Sequence, residues 1–184
     1  RYERAIELGA DDWSELHIAL GHAYEDQGEP DKAVAHYKEA HLWPDHEQRI
    51  SLGGRVLFLG YDIENTDSNL GINLYWRCLE RMEENYLVYL KLINDRYRVW
   101  GQADGPPDVG GMSTRFWKPD MMFKGEWQMK VLPGTPPGLY NIEVILYDPG
   151  RQRSLEPESG GRLLLGPVEV MRLTRRETPT IESL

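Results

Sequence analysis

Apolar residues recur at helical spacing from Trp13 to Leu42. Past Gly53 and Gly54 the pattern changes to strict alternation in short runs separated by glycine and proline. The first region predicts two helices, Trp13 to Gln27 and Pro30 to Leu42. Gly28 is placed to end the first, and Pro30 with Asp31 to start the second. The second region predicts seven strands: 55–63, 72–79, 86–93, 96–102, 123–131, 139–147 and 162–171. Turn residues such as Asn94-Asp95 and Pro136-Pro137-Gly138 separate them. In two of these strands the sets Ile72, Leu74, Trp76, Cys78 and Ile142, Val144, Leu146 fall on one face each, which marks the inward sides of a sheet pair. The expected fold is therefore α+β: a short α-helical hairpin followed by an antiparallel β-sandwich, Ig-like or jelly-roll.

Within the helical part, Leu20, Gly21, Tyr24, Gly28, Ala33, Tyr37 and Ala40, with Pro44 and Asp45 at the end, resemble one tetratricopeptide repeat spanning residues 14–47. Small residues at Gly21 and Ala33 let two helices approach closely, and Leu20, Tyr24 and Tyr37 fill the wedge between them. Tyr2 and Ala5 repeat the spacing of Tyr37 and Ala40. Residues 1–9 thus read as the second helix of a preceding unit, and the chain as a piece of a longer protein. The boundaries expected are a repeat region over 1–50, a sandwich over 55–172 and a tail over 173–184. One and a half repeats cannot bury their own apolar faces. Because the junction at residues 47–54 is short, the second helix is expected to lean on the sandwich.

Composition narrows the partners. Forty per cent apolar residues, with ten tyrosines and six tryptophans, fit a globular body, and no run approaches the ~20 apolar residues of a membrane span. A lone cysteine, Cys78, rules out an internal disulfide and a cysteine-based zinc cluster, and its place in an alternating run reads as an apolar filler. The net charge of −9 is concentrated in residues 1–54, where five Lys/Arg face twelve Asp/Glu for a balance of −7. Such a surface repels phosphate backbones and suits a basic or peptide-like partner, so nucleic acid is not expected. Glu15, His22 and Asp26 on the first helix are the residues that would meet a protein or peptide.

Catalytic chemistry finds no foothold. All five histidines lie in or just after the helical region, leaving the sandwich without a Ser-His-Asp set. The pairs His17/His22 and His36/His41 are five apart, not the three or four that place ligands on one helix face. No metal and no cofactor is expected from them. Asp62 to Gly71 concentrates oxygen ligands in a manner open to calcium, but the same residues make tight turns and do not follow the EF-hand spacing. Glu83-Glu84 and the pair Glu156 and Glu158 read as solvated turns. The long crossover from Asp104 to Met122 carries Phe116 and Trp117, two aromatics that either stack on a sugar ring or plug one end of the sandwich; the plug is the reading adopted for Trp117.

The ordered pieces Phe58-Leu-Gly60-Tyr61-Asp62, Leu74-Tyr75-Trp76, Gly105-Pro106-Pro107, Thr114-Arg-Phe-Trp117-Lys-Pro119, Pro136-Pro-Gly-Leu-Tyr140 and Leu146-Tyr147-Asp148-Pro149 form a further signature. It resembles the C-terminal soluble sandwich of bacterial membrane glycosyltransferases of the dolichyl-phosphate-mannose-protein mannosyltransferase-like group, over Arg55 to Met171. That resemblance implies an extracytoplasmic setting, periplasmic or cell-surface, and an accessory sandwich whose catalytic partner is a membrane region outside this chain. Two functions follow. One is a non-catalytic scaffold that binds a protein segment or a glycan. The alternative is an accessory region of a membrane glycosyltransferase acting in cell-surface glycan or protein glycosylation, with no direct membrane insertion of its own.

Overall fold

In a computed structural model, residues 13–66 and 69–171 are described. The half-repeat expected over 1–9, residues 67–68 and the tail expected over 173–184 lie outside the described residues. Among the described residues, two α-helices, α1 (Trp13–Asp26) and α2 (Pro30–Glu39), precede nine strands. These are β1 (His46–Leu52), β2 (Val56–Thr66), β3 (Asn69–Cys78), β4 (Leu87–Ile93), β5 (Val99–Gly105), β6 (Met122–Lys130), β7 (Gly138–Asp148), β8 (Arg153–Leu155) and β9 (Leu163–Val170).

The helix ends follow from backbone hydrogen bonding. Gly28 takes φ +74°, its N–H donates to Glu25, and the Glu29 N–H reaches Tyr24, which together satisfy the last carbonyls of α1. Helix α2 stops the same way but without glycine. His41 adopts φ +56°, its N–H donates to Lys38, and the Leu42 N–H donates to Tyr37. The helix therefore ends at Glu39 rather than at Leu42, because the left-handed position is filled by a residue that sequence gives no reason to single out. Pro30 at the first turn of α2 needs no N–H partner and begins the helix as expected.

All strand pairings are antiparallel. One sheet runs β1-β2-β3-β6; the other runs β5-β4-β7, with β8 and β9 both pairing β7. The sheets face each other across a core of Leu, Ile, Val and aromatic side chains, with Ile72, Leu74, Trp76 and Cys78 from one sheet and Ile142, Val144 and Leu146 from the other all buried. These are the two inward sets that alternation predicts. A bridge between Gly101 and Val131 joins the sheets on one side, and one between Leu52 and Pro157 joins them on the other.

The expected boundary at residue 55 moves. Residues 46–52 form β1, so the sandwich begins where the sequence reading places a junction. His46–Leu52 reads HEQRISL, with no clean alternation, because the pairing with β2 is bulged between Glu47 and Ile50 and Arg49 sits at φ +53°. Gly60 makes the pairing possible: at φ +148° any side chain there would overlap the His46 carbonyl.

Of the oxygen-rich segment, Asp62 to Thr66 lie on β2 and Asn69 to Gly71 on β3, with Thr66 opposite Asn69. Asp62 is committed to structure, since its carboxylate accepts the Asp45 N–H at 2.7 Å and the Tyr75 hydroxyl at 2.6 Å.

Candidate functional site

The two outer faces of the sandwich are treated differently. On the β1-β2-β3-β6 sheet, Leu59, Tyr75 and Met122 point away from the core and pack with Ala33, Tyr37 and Trp43 in a second buried cluster. Tyr37 is fully buried and stacks on Trp43 with ring centres 5.5 Å apart. Gly21 of α1 lies against its ring, where a Cβ would overlap. Helix α2 thus leans on the sandwich as expected. Polar contacts fix the geometry: Arg77 on β3 binds both oxygens of Glu25 on α1, at 3.0 and 2.8 Å, and reaches Asp120 in the β5–β6 crossover at 2.9 Å.

This interface absorbs one of the residues expected to bind a peptide. His22 is half-buried against Tyr37, with ring centres 5.7 Å apart. Burial, reinforced by the Arg77 charge, pushes its imidazole below the ordinary value of 6.5. Glu15 and Asp26 are exposed. The trio therefore does not make one open binding face, because α1 turns His22 toward Tyr37 of α2.

Phe116 and Trp117 are separated too. They close a 3₁₀ turn, Thr114–Phe116, which leaves Phe116 65% exposed and Trp117 completely buried. Trp117 stacks on Phe123, with ring centres 3.9 Å apart. It plugs the sandwich and offers no face to a ligand, which corrects its candidacy as a sugar platform. Thr114 anchors the turn by accepting the Tyr86 N–H at 3.0 Å and donating to the Glu84 carbonyl at 2.8 Å.

Sequence spacing also hides a histidine pair. His17 and His36 meet across the two helices with their Nδ1 atoms 3.0 Å apart, and Tyr24 stacks on His36 at an interplanar angle of 7°. Spacing within one helix could not reveal a partner nineteen residues away. Among the described residues, no three metal-binding side chains come together.

The outer face of the second sheet carries no such cover among the described residues. Its outward positions on β4 and β7 include Leu87, Tyr89 and Lys91 beside Tyr147, Ile145 and Glu143, in register Leu87 to Tyr147, Tyr89 to Ile145 and Lys91 to Glu143. Tyr89 and Tyr147 meet diagonally, with ring centres 5.7 Å apart and planes at 86°. With Lys91 and Ile145 they line a depression of about 250 Å³. Gln102 and Asp104 of β5 stand opposite Lys91 and Tyr89.

A second depression, about 230 Å³, begins at Ile145 and runs past Glu143, Arg162, Ser154 and Glu156. Glu143 is buried and pairs with Arg162 at 2.6 Å, and the Ser154 hydroxyl donates to Glu156 at 2.6 Å. A third, about 190 Å³, shares Ser154 and Leu155 with the second and is lined by Arg55, Glu84, Arg151 and Arg153. Glu84 is not the solvated turn residue its sequence context implies: its side chain is 9% exposed and sits between Arg55, at 2.9 Å, and Arg151. Burial alone would raise its carboxyl pKa, but backbone N–H groups and the two guanidinium charges outweigh that and hold it below the usual carboxylate range. These depressions were missed in sequence because they draw on four separate segments. The one legible signal was the alternation that places Tyr89 and Tyr147 on the outward side of their strands.

No protein-family model matches the sequence, and comparison with curated proteins finds no match. Among the described residues, no helix is long and apolar enough to cross a membrane.

Proposed function

We propose that this chain is a non-catalytic recognition module that holds its ligand on the outer face of the β4-β7 sheet, while the helix pair, read as a tetratricopeptide-type hairpin, is fixed to the opposite face. The observation that carries this reading is the open tyrosine pair. Tyr89 and Tyr147 are large apolar surfaces left half-exposed at the centre of a sheet, beside Lys91 and Ile145, and aromatic side chains with a polar tip are favoured at recognition surfaces. The side chains around them are arranged as ion pairs and hydrogen-bond donors, which position a ligand rather than activate one. The same reading serves a free-standing scaffold or an accessory region of a larger glycosyltransferase.

A panel of immobilised glycans and peptides, probed with the wild-type chain and with the Tyr89→Ala/Tyr147→Ala double variant, tests it. The reading expects the double variant to lose the wild-type hits while keeping its melting temperature. Binding that survives in the double variant but disappears on charge reversal at Glu15 and Asp26 would move recognition to the helices and overturn it.

A further inference from the structure

The three depressions follow one another as a track through shared lining residues. The first two lie on the outer face of the β4-β7 sheet and the third beyond the edge strand β8, at the seam between the sheets beside Arg55, Tyr86 and Asp148. Ile145 lines both the first and the second, and Ser154 with Leu155 lines both the second and the third. Each alone is smaller than the roughly 300–1,000 Å³ of a site that encloses a compact ligand. A linear ligand touching them in turn fits better than a compact one.

The chemistry changes along the track in a definite order. The first subsite is aromatic and aliphatic, apart from the Lys91 ammonium. In the second, a carboxylate and a guanidinium lie side by side, Glu143 with Arg162, next to the Ser154 hydroxyl. The third repeats that pairing with Glu84 between Arg55 and Arg151. Adjacent hydroxyls on one ring suit such a pair, because one hydroxyl donates to the carboxylate while its neighbour accepts from the guanidinium. An aromatic ring complements the apolar C–H face of the same kind of ring.

Charge selects further. The lining cations Lys91, Arg162, Arg55, Arg151 and Arg153 are nearly balanced by Glu143, Glu156, Glu84 and Asp148. The track therefore presents no strong single-sign field to draw a polyphosphate or a charged peptide. An extended peptide would also seek a free sheet edge for backbone pairing and alternating apolar pockets. Here β8 and β9 occupy that edge of β7, and charged side chains interrupt the apolar lining of the second and third subsites.

Resting on the reading of this face as the ligand side, we infer that the ligand is a neutral, linear oligosaccharide that occupies three successive subsites, from the Tyr89–Tyr147 pair past Glu143–Arg162 and over the edge strand β8 to Glu84–Arg151. Sugar rings stack at the first subsite and are hydrogen-bonded at the other two.

Calorimetric titration of the chain with neutral hexose oligosaccharides of one to five units, set against an acidic oligosaccharide of equal length and a pool of extended peptides, tests the inference. Affinity is expected to rise about tenfold per unit up to three units and then level off, which is about 1.4 kcal/mol per step. It should change little between low and high salt. Tyr147→Ala should abolish binding of every length. Glu156→Gln, on an exposed side chain that leaves the fold intact, should weaken the trimer several-fold and the monomer not at all. Length-independent binding of the neutral series would overturn the three-subsite ligand. Preferential, tyrosine-dependent binding of the peptides or of the acidic oligosaccharide would overturn the neutral-glycan assignment while leaving the ligand face in place. No tyrosine-dependent binding by any probe would sink both.

Discussion

The two sheets carry similar inward faces and opposite outward ones. The β1-β2-β3-β6 sheet presents Leu59, Tyr75 and Met122 outward and buries them under α2, whereas the β4-β7 sheet presents Tyr89, Ile145 and Tyr147 outward and leaves them half-exposed. The difference lies in what accompanies the apolar groups. On the covered face the polar contacts run between elements, Arg77 to Glu25 and Asp120, and close the interface. Beside the open face Glu143 pairs with Arg162, and beyond the edge strand β8 Glu84 joins Arg55 and Arg151; neither pair covers the tyrosines. Apolar groups sealed beneath a helix make a structural contact; those left half-exposed at the centre of a sheet are the basis of the proposed recognition surface.

The comparison breaks first at its hidden aromatics. Trp117→Ala should destabilise the chain by about 3–5 kcal/mol, and Tyr37→Ala by a similar amount, since each removes a fully buried aromatic. Chemical denaturation measures both, and an unchanged midpoint for Tyr37→Ala would mean that the helices do not depend on the sheet. Arg77→Gln should cost less, about 1–3 kcal/mol, because it leaves the half-buried Glu25 carboxylate without the guanidinium nitrogen that bridges its two oxygens. Restoring a charge at this position with Lys should recover only part of the loss, as an ammonium cannot hold Glu25 through one nitrogen while two others hold Asp120.

A smaller effect depends on pH. His22 is held below 6.5, so the folded protein keeps it neutral while the unfolded chain takes up a proton as pH falls through 6.5. Its neutral form therefore supports the fold fully above pH 6.5, and stability declines as pH drops below that value. Glu84, held below 4.5, adds its own support above its ordinary range and loses it at lower pH still. Melting curves from pH 7.5 to 5 should fall for the wild type and flatten for His22→Gln. Parallel curves would remove His22 from the interface. The smallest effect is expected on the open face, where Tyr89→Ala should shift stability by no more than about 1 kcal/mol, as its half-exposed ring packs on one side only.

Alternation and turn chemistry carried much of this architecture. All seven expected strands occur, and both inward sets are buried, because period-two patterning is imposed directly by the pleat. Two strands escaped. β1 is bulged and charged, and β8 has three residues. The left-handed His41 was equally invisible, since glycine is the usual signal for such a helix end. The site was harder to see than the fold. Phe116 and Trp117 are neighbours in sequence, yet one faces water and the other the core, a distinction set by a single 3₁₀ turn. Glu84 looked solvated because its partners, Arg55 and Arg151, lie 29 and 67 residues away. His17 and His36 are likewise joined only by the packing of two helices.

Amide chemical shifts followed during addition of a neutral linear trisaccharide would test the central claim most directly. Shifts are expected on β4, β7, β8, residues 156–162 and the segments around Arg55, Glu84 and Arg151, with α1, α2, β3 and β6 unchanged. Shifts centred on α1 and α2, with β4 and β7 silent, would contradict it.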